Sequence, residues 1–61
     1  MHKEYRIDTF FRGKEFVHEE NFFDTKDEAL IFAGKEIAKG KQVFLLQHII
    51  DGKYDVVEEI R

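Results

Sequence analysis

The chain has 61 residues, 43% of them hydrophobic and 38% charged, a composition suited to a globular rather than a disordered chain and a length at which one small domain, 1–61, is expected and not two. It has no cysteine, so neither a disulfide framework nor a thiolate zinc centre can form. A net charge of −3 argues against non-specific binding to nucleic acid or anionic membrane. No apolar run approaches the roughly 18 residues of a membrane span. The N-terminus lacks the pattern of a secretory signal, and a cytoplasmic location is the expectation.

Residues 4–11 set Tyr5, Ile7, Thr9 and Phe11 in alternation with Arg6, Asp8 and Phe10, the period of a half-buried strand. Gly13 supplies a tight turn, and residues 15–22 return as a second strand. A two-residue loop sets the odd positions of the first strand opposite Phe16, His18, Glu20 and Phe22. A three-residue loop sets Phe10 opposite Phe16 and Asp8 opposite His18. The shorter loop is the expectation.

Thr25-Lys26-Asp27-Glu28 has the form of a capping box, in which a Thr hydroxyl bonds a free amide and Glu28 reaches back to the cap. The helix it opens should run to about Lys39, with Gly40 as its left-handed terminator and Lys39 and Lys41 suiting its negative end. Ala29, Leu30, Ala33 and Ile37 form the stripe expected to face the sheet. Gly34 costs about 1 kcal/mol relative to Ala inside a helix, and close helix–sheet approach is the expected reason for it. Residues 41–50 and 53–60 read as two further strands, joined by Asp51-Gly52, a type I′ hairpin signal. The fold class is α+β, in the order β-β-α-β-β: an antiparallel four-stranded sheet with one helix packed on one face.

The third strand is apolar on both sides. With a two-residue turn, Val43, Leu45, Gln47 and Ile49 share a face with Tyr54, Val56 and Ile60, and this face is placed under the helix. Phe44, Leu46, His48 and Ile50 then share the open face with Asp55, Val57 and Glu59, joined by Phe10, while Ile31 and Phe32 lie off the helix stripe. Large contiguous apolar patches mark interfaces. Phe44, Leu46, His48, Ile50, Val57, Phe10, Ile31 and Phe32 are therefore the candidate interface. It would serve a homodimer packed sheet face to sheet face or joined at an edge strand. His48 opposite Asp55 is a possible pH-sensitive contact within it.

Chemistry finds few footholds. The chain has no Ser or Cys, and its two Thr have structural readings, so no nucleophilic triad can be built. Glu19-Glu20 and Glu58-Glu59 are adjacent on strands and point to opposite faces. His18, Glu20 and His2 offer metal ligands in no known spacing, and no metal or cofactor is expected. An enzyme is not expected. The expected function is a small self-associating domain acting through protein–protein interaction. One alternative is an acidic inhibitor or regulator of a nucleic-acid-binding partner, of the kind phages encode, using Glu15, Glu19, Glu58 and Glu59. Another is weak nucleic-acid binding by Arg6, Arg12 and Lys14 beside Phe10 and Phe11, which the net charge opposes.

From Phe23 to Tyr54 the chain resembles small uncharacterised bacterial β-β-α-β-β domains. They share an F-x-T-K-x-E-A helix start, a basic A-K-G-type helix end and a D-G-K turn. Here those residues are Phe23, Thr25, Lys26, Glu28, Ala29, Ala38, Lys39, Gly40, Asp51, Gly52 and Lys53. The resemblance implies the fold and carries no activity with it.

Overall fold

The computed structural model describes residues 2–12 and 16–61. Strands β1 (Tyr5–Arg12) and β2 (Phe16–Phe23) precede helix α1 (Lys26–Ala38), and β3 (Gln42–Ile50) and β4 (Lys53–Ile60) follow it. They form one antiparallel sheet in the order β2-β1-β3-β4. β2 and β3 both run antiparallel to β1, so α1 carries the chain across β1 from one flank to the other. The expected α+β class and element order are those observed.

The first hairpin follows neither expected register. Phe10 faces His18 and Arg12 faces Phe16, so three residues, 13–15, join the strands. The expected turn at Gly13 lies outside the described residues. Arg6, Asp8 and Phe10 therefore share with His18, Glu20 and Phe22 the face away from the helix.

The helix ends form as their residue types dictate. The Glu28 amide donates to Thr25 Oγ1 at 3.2 Å. The Thr25 hydroxyl in turn donates to the Glu28 carboxylate at 2.9 Å, so Glu28 holds the cap by its hydroxyl rather than its amide. At the other end Gly40 takes φ +83°, its amide reaches Ile37 O, and the Lys41 amide reaches Glu36 O. That pair of bonds is a Schellman motif, which needs a residue free to turn left-handed.

The buried stripe differs from the expected one. Ala29, Ala33 and Glu36 are buried, Phe32 and Ile37 are half-buried, and Leu30 is exposed. Phe32 packs against the core and lies 5.2 Å from the Phe23 ring, so it belongs to the covered face. Ala29 and Ala33 meet Ile7, Val43 and Leu45 in a core of fully buried side chains. The close helix–sheet approach comes from these alanines. Gly34 points outward, and a Cβ added there meets nothing within 4 Å.

Glu36 disguised itself as a solvent residue. Its carboxylate lies 2.7 Å from Lys41 Nζ and 2.9 Å from Lys39 Nζ. Hydrogen bonds from Lys41 and then Lys39 hold its pKa below the usual carboxylate value, against the opposing effect of burial. The same bond to Glu36 raises Lys41, which also reaches Glu19 on β2 at 3.6 Å.

The Asp51-Gly52 turn takes φ 47° and 78°, as a type I′ turn requires. Beyond it the pairing is irregular. Ile50 faces Lys53, but His48 faces Tyr54 and Leu46 faces Val56, while Leu45 faces Glu58. Ile49 is thus an extra residue on β3 and Val57 an extra residue on β4. Between these bulges every partner shifts by one, which moves Tyr54 and Val56 to the open face. Asp55 comes opposite Gln47, so the expected His48–Asp55 pair does not form.

Candidate interaction surfaces

The open face is built from Arg6, Asp8 and Phe10 of β1 and His18, Glu20 and Phe22 of β2, together with Phe44, Leu46, His48, Tyr54 and Val56. At its centre lies a charged cluster. Arg6 grips Asp8 in a bidentate pair at 2.8 and 3.0 Å and reaches Glu20 at 3.6 Å. His18 Nε2 lies 3.4 Å from Asp8, and its ring stacks on Phe10 at 4.4 Å. Asp8 is 7% exposed, and no buried side-chain polar atom among the described residues lacks a hydrogen-bond partner. An unpaired carboxylate at this burial would cost several kcal/mol, on the order of 3–5, so Arg6 is what lets Asp8 sit here.

Asp8, His18 and Glu20 bring ligand atoms within 4.8 Å of one another. The Arg6 guanidinium already supplies the positive charge that these carboxylates need, which leaves a cation little to gain. His2 is elsewhere: it stacks on His48 at 5.2 Å, beside the β3–β4 turn. The sequence-level trio His18, Glu20 and His2 is therefore not brought together, and Asp8 stands where His2 was expected.

Around the cluster the face covers itself. Tyr54 meets the rings of Phe22 and His48 at 5.6 and 5.2 Å, and Arg6 lies 5.2 Å from its ring. The Tyr54 hydroxyl donates to Lys3 O, which draws the start of the chain against β4. Leu46, opposite Arg6 and Val56, is only 3% exposed. Phe44 and Phe10 are half-buried in an edge-to-face pair at 5.7 Å.

The candidate interface residues thus divide. Leu46 is buried within its own chain, and Phe32 is packed against the core. Phe10, Phe44 and His48 are partly covered. Ile31, Ile50 and Val57 remain 64%, 60% and 51% exposed. Sequence reasoning missed Ile49, the extra residue of one bulge, and Val56, which the shifted register between the bulges moves to the open face; both are exposed.

Extension of the sheet through β4 is opposed by its charges. Asp55 and Glu58 face the helix side, opposite Gln47 and Leu45.

The remaining chemistry is accounted for locally. Thr9 is buried in the sheet, and Thr25 caps the helix. Glu19 turns toward Lys41 and Glu20 toward Arg6, on opposite faces as expected. Of the basic residues on the first hairpin, Arg6 is engaged by two carboxylates; Lys14 and the side chain of Arg12 lie outside the described ones. Glu15 does too, while Glu59 bonds Gln42 and Arg61. No pocket is found among the described residues, and no helix there is long and apolar enough to cross a membrane. No family model, curated protein or solved structure matches this chain.

Proposed function

We propose that this chain is a small non-enzymatic domain that associates with its own copies and acts through protein–protein contact. The observation behind it is the amount of large apolar surface left bare. Ile31, Ile49, Ile50, Val56 and Val57 are each more than half exposed. Single exposed hydrophobes are ordinary. Here they accumulate on a chain whose one helix lies over β1, β2 and β3. A domain this size gains little from its own core, so surface buried between copies adds a large share of the total. A cytoplasmic setting belongs to the same proposal, in keeping with a cysteine-free chain.

Light scattering coupled to size exclusion, run from micromolar to millimolar concentration, tests it. The expected mass rises from 7.3 kDa toward twice that value as concentration increases. A mass fixed at the single-chain value throughout would refute self-association.

A further inference from the structure

The start of the chain is strapped to the β3–β4 hairpin. Pairing of β1 with β3 sets Tyr5 opposite Gln47, and the His48 amide carries it one step further by donating to Glu4 O at 2.7 Å. Gln47 Nε2 donates to the Glu4 carboxylate at 2.8 Å, and the Tyr54 hydroxyl donates to Lys3 O. His2 closes the strap. Its ring stacks on that of His48 at 5.2 Å, 28° from parallel. The same ring lies against Gly52, where an added Cβ would stand 3.1 Å from its Cε1.

These contacts converge on His48. The Gly52 amide donates to His48 Nε2 at 3.2 Å. A backbone N–H can only donate, and an imidazole nitrogen accepts only while it carries no proton. The ring is therefore neutral, with its proton on Nδ1. A second proton would go to Nε2 and set one N–H against another. The bond would be lost, and the ring would have to turn out of the plane on which His2 rests. Imidazoles ordinarily change charge over the same range of pH, and two stacked imidazolium ions repel.

The neighbouring charges offer an imidazolium at His48 no partner. Glu4 is engaged by Gln47, and Lys3 reaches Asp24 at 3.9 Å. Arg6, which lies over the Tyr54 ring, is taken up by Asp8 and Glu20. Asp51 and Lys53 flank the turn with opposite signs. No carboxylate among the described residues is ion-paired with His48, whereas His18, the other imidazole of the open face, has Asp8 at 3.4 Å. Acid therefore acts on the two in opposite senses: protonation strengthens the His18 contact and breaks the His48 one.

We propose that His48 is a pH-sensitive latch, its neutral ring holding the strap His2–Glu4 against the β3–β4 hairpin and releasing it on protonation. The closed form requires the unprotonated ring. The strap is thus closed at high pH and opens as pH falls through the ordinary imidazole range, about 5 to 8. Opening frees the start of the chain and the Tyr54 hydroxyl that holds Lys3 O. The latch works within one chain and does not depend on self-association.

Nuclear magnetic resonance on the full chain tests the proposal, at a concentration where light scattering reports a single chain. At about pH 8 the His48 ring should carry its proton on Nδ1, with Nε2 bare. The amide order parameters of Lys3 and Glu4 should lie near the rigid value of about 0.85 at that pH and fall below about 0.6 near pH 5, while that of Ile7 in the sheet stays unchanged. In His48→Gln, whose side-chain carbonyl can accept from Gly52 and does not titrate, the acid release should vanish. In His18→Gln it should remain. His2→Ala should already loosen Lys3 at the higher pH. A proton found on His48 Nε2 at about pH 8 would overturn the latch. So would a strap equally ordered at both pH values, or an acid release that persists in His48→Gln or disappears in His18→Gln. If His48→Gln does not fold, His2→Ala decides: a Lys3 as ordered as in the wild type at the higher pH would rule out the ring stack as the closing contact.

Discussion

Replacing Gly34 with Ala should stabilise the isolated chain. The position lies in the interior of a 13-residue helix, exposed, and an added Cβ meets nothing within 4 Å. No packing cost therefore offsets the gain. The gain has two sources: alanine's better helix propensity and the smaller conformational freedom that its unfolded chain gives up. Together these are worth about 1 kcal/mol, which in a domain of this size shifts the melting temperature by roughly 4–8 °C. The assay is thermal and urea unfolding followed by far-ultraviolet circular dichroism, at concentrations where light scattering reports a single chain. A neutral or destabilising effect on the single chain would refute the reasoning, because it would mean that Gly34 is confined by something within its own molecule.

Leu46→Ala should cost about 2–5 kcal/mol, as much as the whole stability of many domains this small, so the variant should be largely unfolded at room temperature by circular dichroism. Val56→Ala, its exposed cross-strand neighbour, should change the urea midpoint by less than about 0.5 kcal/mol equivalent. Gly52→Ala should cost about 1–2 kcal/mol, since φ there is 78° and a Cβ would stand 3.1 Å from the His2 ring; a cost near zero in urea unfolding would show that the turn relaxes freely. The Glu36 carboxylate titrates below its ordinary value of 4.5, so its contribution is complete above that pH and is lost as pH falls through the lowered folded value. Urea midpoints of wild type and Glu36→Gln should therefore differ at neutral pH and converge in acid; a gap that persists unchanged into strong acid would contradict this assignment.

What the sequence discloses here is what short stretches decide by themselves. The Thr25 cap, the Gly40 stop and the Asp51-Gly52 turn each depend on neighbours within a few residues, and each forms as its residue types require. Registers are another matter. The β3–β4 turn is the expected one, but the bulges at Ile49 and Val57 shift the pairing by one and then restore it. Alternation counted outward from the turn therefore puts Tyr54 and Val56 on the wrong side. The helix face was obscured by a charge: Glu36 is buried because Lys39 and Lys41 come after the helix has ended, while Leu30 resembles a core residue and is exposed. The open-face cluster was legible only in fragments. Arg6, Asp8, His18 and Glu20 meet because the first hairpin has a three-residue connection, and nothing in 13–15 announces that length. Strand order depends on pairs such as Tyr5 with Gln47, which are distant in sequence.

That last pairing bears on how the molecule is made. β1 is synthesised first yet lies between β2 and β3. Until Gln47 has left the ribosome, β1 can complete only its hairpin with β2, and Ile7 has no Leu45 beside it. A chain that has completed only its first hairpin therefore carries a half-built sheet. Closure awaits contacts some forty residues apart, the kind that slow folding and leave an unfinished edge open to other chains.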